Sequence, residues 1–154
     1  MKGFQRIGSL ANRIKKMGLA LEDGSLLGEI LRSNEDYILD LNRRQLNDQG
    51  INSQGISIAS YAPYTASTIA RKIRKGQPYD RVTLRDTGKF QAGFSLEVGK
   101  NIFRISSRDQ KTPQLIDKYG PYIFGLTNES KDQLVSDVVI PAIFDAISKT
   151  IDDE

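Results

Sequence analysis

The groups of this 154-residue chain that could do chemistry are carboxylate, Lys, Tyr, Ser and Thr side chains, because it contains no Cys, His or Trp. This composition excludes disulfides, thiol nucleophiles, Ser-His-Asp machinery and zinc sites built from imidazole or thiolate. Carboxylate acid–base catalysis and an oxygen-liganded magnesium or calcium ion remain open. The composition therefore favours a binding or structural role.

The tripeptide Asp86-Thr87-Gly88 is a short motif with a known catalytic use. Aspartic proteases present a carboxylate in an Asp-Thr-Gly turn, bury it among apolar residues and pair it with a second carboxylate that shares its proton. Here Arg85 and Lys89 flank the motif, and their charges would keep Asp86 ionised and hydrated. We therefore expect a structural turn without catalysis, in which Gly88 adopts a positive φ.

Two further kinds of site receive little support from the sequence. Paired carboxylates for glycoside hydrolysis could come from Glu22, Asp23, Glu35 or Asp36, but all four lie in charged helical or turn segments. The glycines never form GxGxxG or GxxxxGK, so no nucleotide-binding loop is expected. The sequence predicts no catalytic residue, no cofactor and no metal site.

A basic stretch lies between positions 71 and 81, where Asp80 is the only acidic residue. Its cations are Arg71, Lys72, Arg74, Lys75 and Arg81, with Tyr61, Tyr64 and Tyr79 nearby. Such a stretch could contact nucleic-acid phosphates while the tyrosines stack on bases, although a solvated surface is the more common role. The density of like charge predicts an exposed segment whose candidate contact is DNA or an acidic partner.

The overall charge is only mildly basic, since 22 Lys and Arg against 19 Asp and Glu give a net charge of +3. No apolar run approaches the length of a membrane span, and basic residues interrupt the N-terminal segment. We therefore expect neither a membrane segment nor a secretory signal, and synthesis in the cytosol.

Amphipathic periodicity predicts two helices in the N-terminal third. The first covers residues 4–21 and is followed by a break at Asp23-Gly24. The second covers residues 26–47, and Gly50 can take the left-handed conformation that ends it.

The middle of the chain alternates short elements with turns. Residues 51–61 suit a short strand or an extended arm, and a short helix follows from near Pro63 to residues 76–78. The segment 82–84 is β-prone and leads through the Asp-Thr-Gly turn to a predicted hairpin over residues 94–106.

In the last third of the chain, the sequence predicts one or two helical turns over residues 112–119. An apolar segment follows over residues 122–127. A final helix then begins at a cap provided by Asn128 or Ser130, and Pro141 must kink or restart it.

These elements predict an α+β fold in which an antiparallel sheet packs against helices, with two N-terminal helices and a long C-terminal helix. A single domain over residues 1–154 is expected, with a helical part at 1–48 and an α+β core at 50–151.

The element Leu-x-Asp-Thr-Gly-x-Phe is formed by Leu84, Asp86, Thr87, Gly88 and Phe90. It resembles a motif of the virion morphogenesis proteins of tailed bacteriophages, which include tail-completion, tail-terminator and neck or connector ring proteins. The resemblance covers residues 41–147 and extends to Gly50, Ile51, Gly55, Tyr61, Thr65, Lys72, Gly76, Phe94, residues 122–126 and Pro141.

The resemblance implies a virion structural protein whose copies assemble side by side into a homo-oligomeric ring between portal and tail. It also implies contacts with portal, adaptor and tail proteins, non-specific contact with channel DNA, and a strand at residues 122–126 before the final helix. Such a subunit needs no catalytic His or Cys and keeps apolar surface that assembly buries. The alternative function is a nucleic-acid-binding module that uses residues 71–81.

Overall fold

The computed structural model describes residues 2–152, with side chains beyond residue 7, and has the predicted α+β fold. The sheet within the described residues is an antiparallel hairpin of β1 (Phe94–Gly99) and β2 (Ile102–Ser107). The α-helices are α1 (Lys2–Glu22), α2 (Ser25–Ser33), α3 (Glu35–Arg44), α4 (Ala66–Arg74), α5 (Lys89–Ala92), α6 (Thr112–Tyr119), α7 (Asn128–Leu134) and α8 (Ile140–Asp152).

The described chain divides into two compact units, each made of separate segments. The first unit comprises residues 2–34, 98–103 and 132–152, and the second comprises residues 35–97 and 104–131. The sequence-based division at residues 48–50 does not coincide with this one, because α3 belongs to the unit that contains most of the α+β core.

Three helices, rather than the two predicted, occupy the N-terminal third. The predicted second helix is interrupted at Asn34, whose backbone leaves the helical region at φ −118° and ψ 29°. The Asn34 side-chain amide donates to the Ile30 carbonyl at 2.8 Å, and such bonds compete with helix continuation. The prediction of one helix over residues 26–47 is therefore wrong, whereas Gly50 does end this segment with a φ of 63°.

The segment that follows Gly50 is not a regular strand. Ile51 and Ser57 form an isolated antiparallel bridge around a turn in which Gly55 has a φ of 77°. Helix α4 confirms the short helix that was predicted after Pro63. The Thr65 hydroxyl accepts the Thr68 N–H at 3.3 Å and caps the start of this helix.

An aromatic cluster anchors the base of the hairpin in the second unit. Phe94, at the start of β1, meets Phe90 edge-on at 5.2 Å between ring centroids and lies 5.6 Å from Phe124. The Arg43 guanidinium lies over the Phe94 ring at 5.6 Å. The predicted hairpin is confirmed, with Asn101 at its turn in a left-handed conformation.

The strand implied at residues 122–126 is absent, because the buried amides of Asn42 on α3 and of Gln45, in the π-helical turn Gln45–Gln49 that follows α3, take up backbone bonds of this segment. Asn42 donates to the Ile123 carbonyl at 3.1 Å and accepts the Gly125 N–H at 3.0 Å. Gln45 donates to the Gly125 carbonyl at 3.0 Å and accepts the Thr127 N–H at 2.9 Å. The segment therefore needs no neighbouring strand.

The closing helix consists of α7, a π-helical turn over Val135–Val139, and α8. Its cap is Thr127, whose hydroxyl accepts the Ser130 N–H at 3.2 Å, so the predicted caps Asn128 and Ser130 are wrong. The widened turn ends two residues before Pro141, which has no N–H to donate, and it interrupts the regular α-helical hydrogen bonding there. No described helix combines the length and apolar character needed to cross a membrane.

Candidate functional site

The motif loop, residues 82–88, has no strand partner, although its first residues are β-prone. Side chains satisfy its backbone instead. The Tyr64 hydroxyl accepts the Thr83 N–H at 3.0 Å, and the Gln91 amide donates to the Thr83 carbonyl at 2.8 Å. Lys72 Nζ donates to the Arg85 carbonyl at 2.9 Å. The prediction of β structure at residues 82–84 is therefore wrong.

Two left-handed residues shape the motif loop. Leu84 has a φ of 55°, which is rare for a residue with a branched side chain, and its side chain is buried. Gly88 has a φ of 87° and precedes α5, whose Phe90 side chain points into the aromatic cluster. The predicted positive φ of Gly88 is confirmed, and the loop is a structural turn held by buried side chains.

Asp86 lies in this turn as an ionised, partly exposed carboxylate. Its Oδ1 accepts a hydrogen bond from Lys75 Nζ at 2.6 Å. This bond, together with the charges of Lys75, Arg71 and Lys111, holds the pKa of Asp86 below its ordinary value. A catalytic acid needs the opposite shift, so the geometry favours a structural role for this carboxylate.

The other carboxylates considered for hydrolysis are not gathered into a site. Glu35 accepts the Leu96 N–H at 3.0 Å, and Asp23 accepts the Ser25 N–H at 2.8 Å. Hydrogen bonding to the side chain and then to the backbone of Ser25 lowers the pKa of Asp23. Glu22 and Asp36 are exposed. Within residues 2–152, no group of three or more acidic side chains is arranged to hold a metal ion.

The basic stretch is not uniformly exposed, and this corrects the prediction. Lys72 is only 4% exposed. Lys75 pairs with Asp86, and the Arg81 guanidinium donates to the Asn47 carbonyl at 2.6 Å and pairs with Asp80.

Arg71 and Arg74 are the members of the stretch that remain exposed and form no ion pair within the described chain. Both lie on α4, and Arg71 lines a pocket that Arg74 does not reach. The structure therefore separates cations that are adjacent in the sequence.

A cavity of about 260 Å³, here called the motif pocket, lies between α4, the motif loop, α5 and the region of α6. Its cations are Arg71, Lys72, Arg85, Lys89, Lys111 and Lys118, and its carboxylates are Asp86 and Asp109. Arg85 and Lys89 were identified from the sequence only as flanks of the Asp-Thr-Gly motif, and Lys111 and Lys118 were not identified. Lys111 and Lys118 are seven residues apart, which places them on one side of a helix, but no sequence signal brings that helix to α4.

The first unit exposes apolar surface on its two long helices. No described side chain of α1 or α8 is buried, although the Thr150 hydroxyl of α8 lies 3.5 Å from the Met17 sulfur of α1. The exposed apolar side chains are Ile14, Leu19 and Leu21 on α1 and Ile140, Phe144 and Ile151 on α8. On α8 the three exposed positions share one side of the helix, and an exposed apolar face of this kind marks an interaction surface.

Comparisons of the chain with protein-family models, curated proteins and solved structures gave no match.

Proposed function

We propose that this chain is a non-enzymatic structural protein of a tailed-bacteriophage virion. Its copies form a ring in the head-to-tail connector or neck, with a tail-completion or tail-terminator role. The observation that carries the proposal is the uncovered apolar surface of α1 and α8, since neither helix has a buried side chain among its described residues. The Leu-x-Asp-Thr-Gly-x-Phe resemblance supports the virion context.

A second copy of the chain is the occupant that best explains this surface. Three large apolar side chains on each of α1 and α8 are exposed in a single copy, and burying them is favourable by about 25 cal/mol per Å² of apolar area. Contacts between different faces of identical subunits close into a ring when the rotation per subunit allows it. A portal-bound template would select the closing geometry.

The experiment compares assembly of the wild type with that of two matched variants. Phe144 on α8 and Ile102 at the hairpin turn are each 65% exposed, so replacing either by Ser removes a similar exposed apolar side chain. Light scattering after size exclusion and negative-stain microscopy, with and without portal protein, report the oligomers. We expect wild type and Ile102→Ser to form rings, and Phe144→Ser to remain monomeric with an unchanged thermal midpoint.

A wild-type protein that stays monomeric at all concentrations, even with portal, would overturn the ring. Rings that survive Phe144→Ser and are lost with Ile102→Ser would place the contact on the hairpin instead of α8.

A nucleic-acid-binding module is the second candidate function, favoured by the exposed and unpaired Arg71 and Arg74. Its support is weaker because Lys72, Lys75 and Arg81 are engaged within the protein. Binding through phosphates weakens steeply with added salt, whereas assembly through apolar area does not. Mobility-shift titrations at two salt concentrations distinguish the two functions.

A further inference from the structure

The motif pocket carries an uncompensated positive charge. Six cationic side chains and two carboxylates line it, an excess of four positive charges. Both carboxylates are engaged: Asp86 pairs with Lys75, which lies outside the lining, and Asp109 accepts the backbone N–H of Lys111 at 2.8 Å. None of the six cations forms an ion pair with another residue of the described chain.

Lys72 supplies a second and independent feature of this pocket. It is nine-tenths buried, and its ammonium group donates to the Arg85 carbonyl and lies 4.9 Å from the centre of the Tyr64 ring. An ammonium has three hydrogens to donate, and a buried cation without an anionic partner is costly. An anion in the pocket would complete the pairing of this group.

The volume of the pocket restricts the size of the anion. Its apolar and aromatic lining residues are Tyr64, Leu84, Phe90, Leu115 and Tyr119. A volume of about 260 Å³ lies below the usual range for drug-sized ligands, so a small group fits. The cations approach from α4, the motif loop, α5 and the region of α6.

A phosphate group matches this arrangement better than a carboxylate does. It carries up to two negative charges and several oxygens that accept hydrogen bonds from different directions. We infer that the motif pocket binds a phosphate group, presented either by a nucleic-acid backbone or as free phosphate. This inference does not rest on the proposed ring, because the pocket is formed within one copy of the chain.

The test uses the full-length protein and two double variants that each remove two positive charges. Arg71→Gln with Lys111→Gln neutralises exposed cations of the pocket, and Arg44→Gln with Arg104→Gln neutralises exposed cations outside it. Amide chemical shifts are followed during titration with inorganic phosphate, and separately with a short DNA duplex, at constant ionic strength. Chloride serves as the non-binding anion.

Phosphate should shift the amides of residues 85–89 and 111 in the wild type, and the pocket variant should bind at least about tenfold more weakly, while the control changes less than about twofold. If the pocket variant loses binding of the duplex but not of free phosphate, the phosphate group comes from a nucleic-acid backbone. This result also supports the site. Equal weakening in both variants, shifts confined to other segments, or no binding of either probe would overturn it. If the first variant unfolds, Lys89→Gln with Lys118→Gln carries the same expectation.

Discussion

Lys72 differs in burial from Arg71 and Arg74, although all three lie on α4. An α-helix turns by about 100° per residue, so neighbouring positions face different directions. Lys72 lies on the inner side of the helix and donates to the Arg85 carbonyl of the motif loop, whereas the two arginines face solvent. A cluster of charge in the sequence is therefore divided between the core and the surface.

Lys72→Ala should lower the free energy of unfolding by about 1–3 kcal/mol, because it leaves the Arg85 carbonyl without its donor. Arg74→Ala, the matched control on the same helix, should change it by less than about 0.5 kcal/mol. Chemical denaturation of the two variants measures the difference. Equal stabilities would show that Lys72 has no structural role.

Asp86→Asn should change how stability depends on pH. Because the pKa of Asp86 is lowered in the folded state, chiefly by the Lys75 hydrogen bond, its carboxylate stabilises the fold above the ordinary value of 3.8. This contribution is lost as the pH falls through the lowered folded-state pKa. Thermal midpoints of wild type and Asp86→Asn should therefore differ at pH 7 and converge below pH 3.8. A difference that persists at low pH would contradict the ion pair as its source.

Gly88→Ala should destabilise the fold by about 1 kcal/mol, because alanine pays a steric cost at the φ of 87°. No atom crowds the new methyl group, since the nearest is Arg85 Nε at 4.0 Å. Gly18→Ala is the control, because Gly18 lies within α1 with no neighbour within 4 Å. That change should stabilise by about 0.5–1 kcal/mol, so denaturation should show opposite signs.

At the level of secondary structure, two β-prone segments remain irregular for one reason. The segment 82–85 is bonded by Tyr64, Gln91 and Lys72, and the segment before α7 is bonded by the side-chain amides of Asn42 and Gln45. Buried backbone groups need hydrogen-bond partners, but those partners need not be another strand. The sheet among the described residues is therefore limited to the hairpin.

The Asn42→Ala variant tests whether side-chain hydrogen bonds replace those of a neighbouring strand. Asn42 is fully buried, and its loss leaves the Ile123 carbonyl and the Gly125 N–H without partners. We expect a loss of about 2–4 kcal/mol, since each unsatisfied group costs about 1–3 kcal/mol. Asn12→Ala on the exposed surface of α1 should change stability by less than about 0.5 kcal/mol. Similar effects of the two changes, measured by denaturation, would contradict the role assigned to Asn42.

Across the whole molecule, the two units differ in how fully they bury their helices. In the second unit, α3 buries Ile38, Leu39 and Leu41. In the first unit, α2 buries Ile30 and Leu31, whereas α1 and α8 bury none of their described side chains. Local stability follows burial, so α1 and α8 should open locally more readily than α3.

Hydrogen exchange measured by mass spectrometry should show this difference directly. In dilute protein, amides of α1 and α8 should exchange faster than those of α3, because few buried contacts oppose their local opening. Their protection should rise at concentrations where oligomers form, while that of α3 stays constant. If the amides of α1 and α8 are as protected as those of α3 in the monomer, these two helices do not need a partner for their stability.

Local patterns were sufficient for the features that depend on neighbours in the chain. The amphipathic period predicted α1, the start and stop residues around 63 and 76–78 predicted α4, and the sequence predicted the left-handed Gly50 and Gly88 and the hairpin turn. These features depend on backbone preferences and on side chains a few residues apart. The motif loop was found for the same reason, because its residues are contiguous.

Contacts between distant parts of the chain decided the rest of the site. Lys72 is buried because it meets a carbonyl 13 residues away, and the segment before α7 is irregular because Asn42 reaches Gly125 across 83 residues. The motif pocket joins Arg71 to Lys111 in the same way. Distant groups decide whether a cation is solvated or lines a cavity, because they provide the partners for its charge. They also decide whether a β-prone segment pairs with a strand or with side chains, because they provide its hydrogen bonds. Only folding brings these groups together.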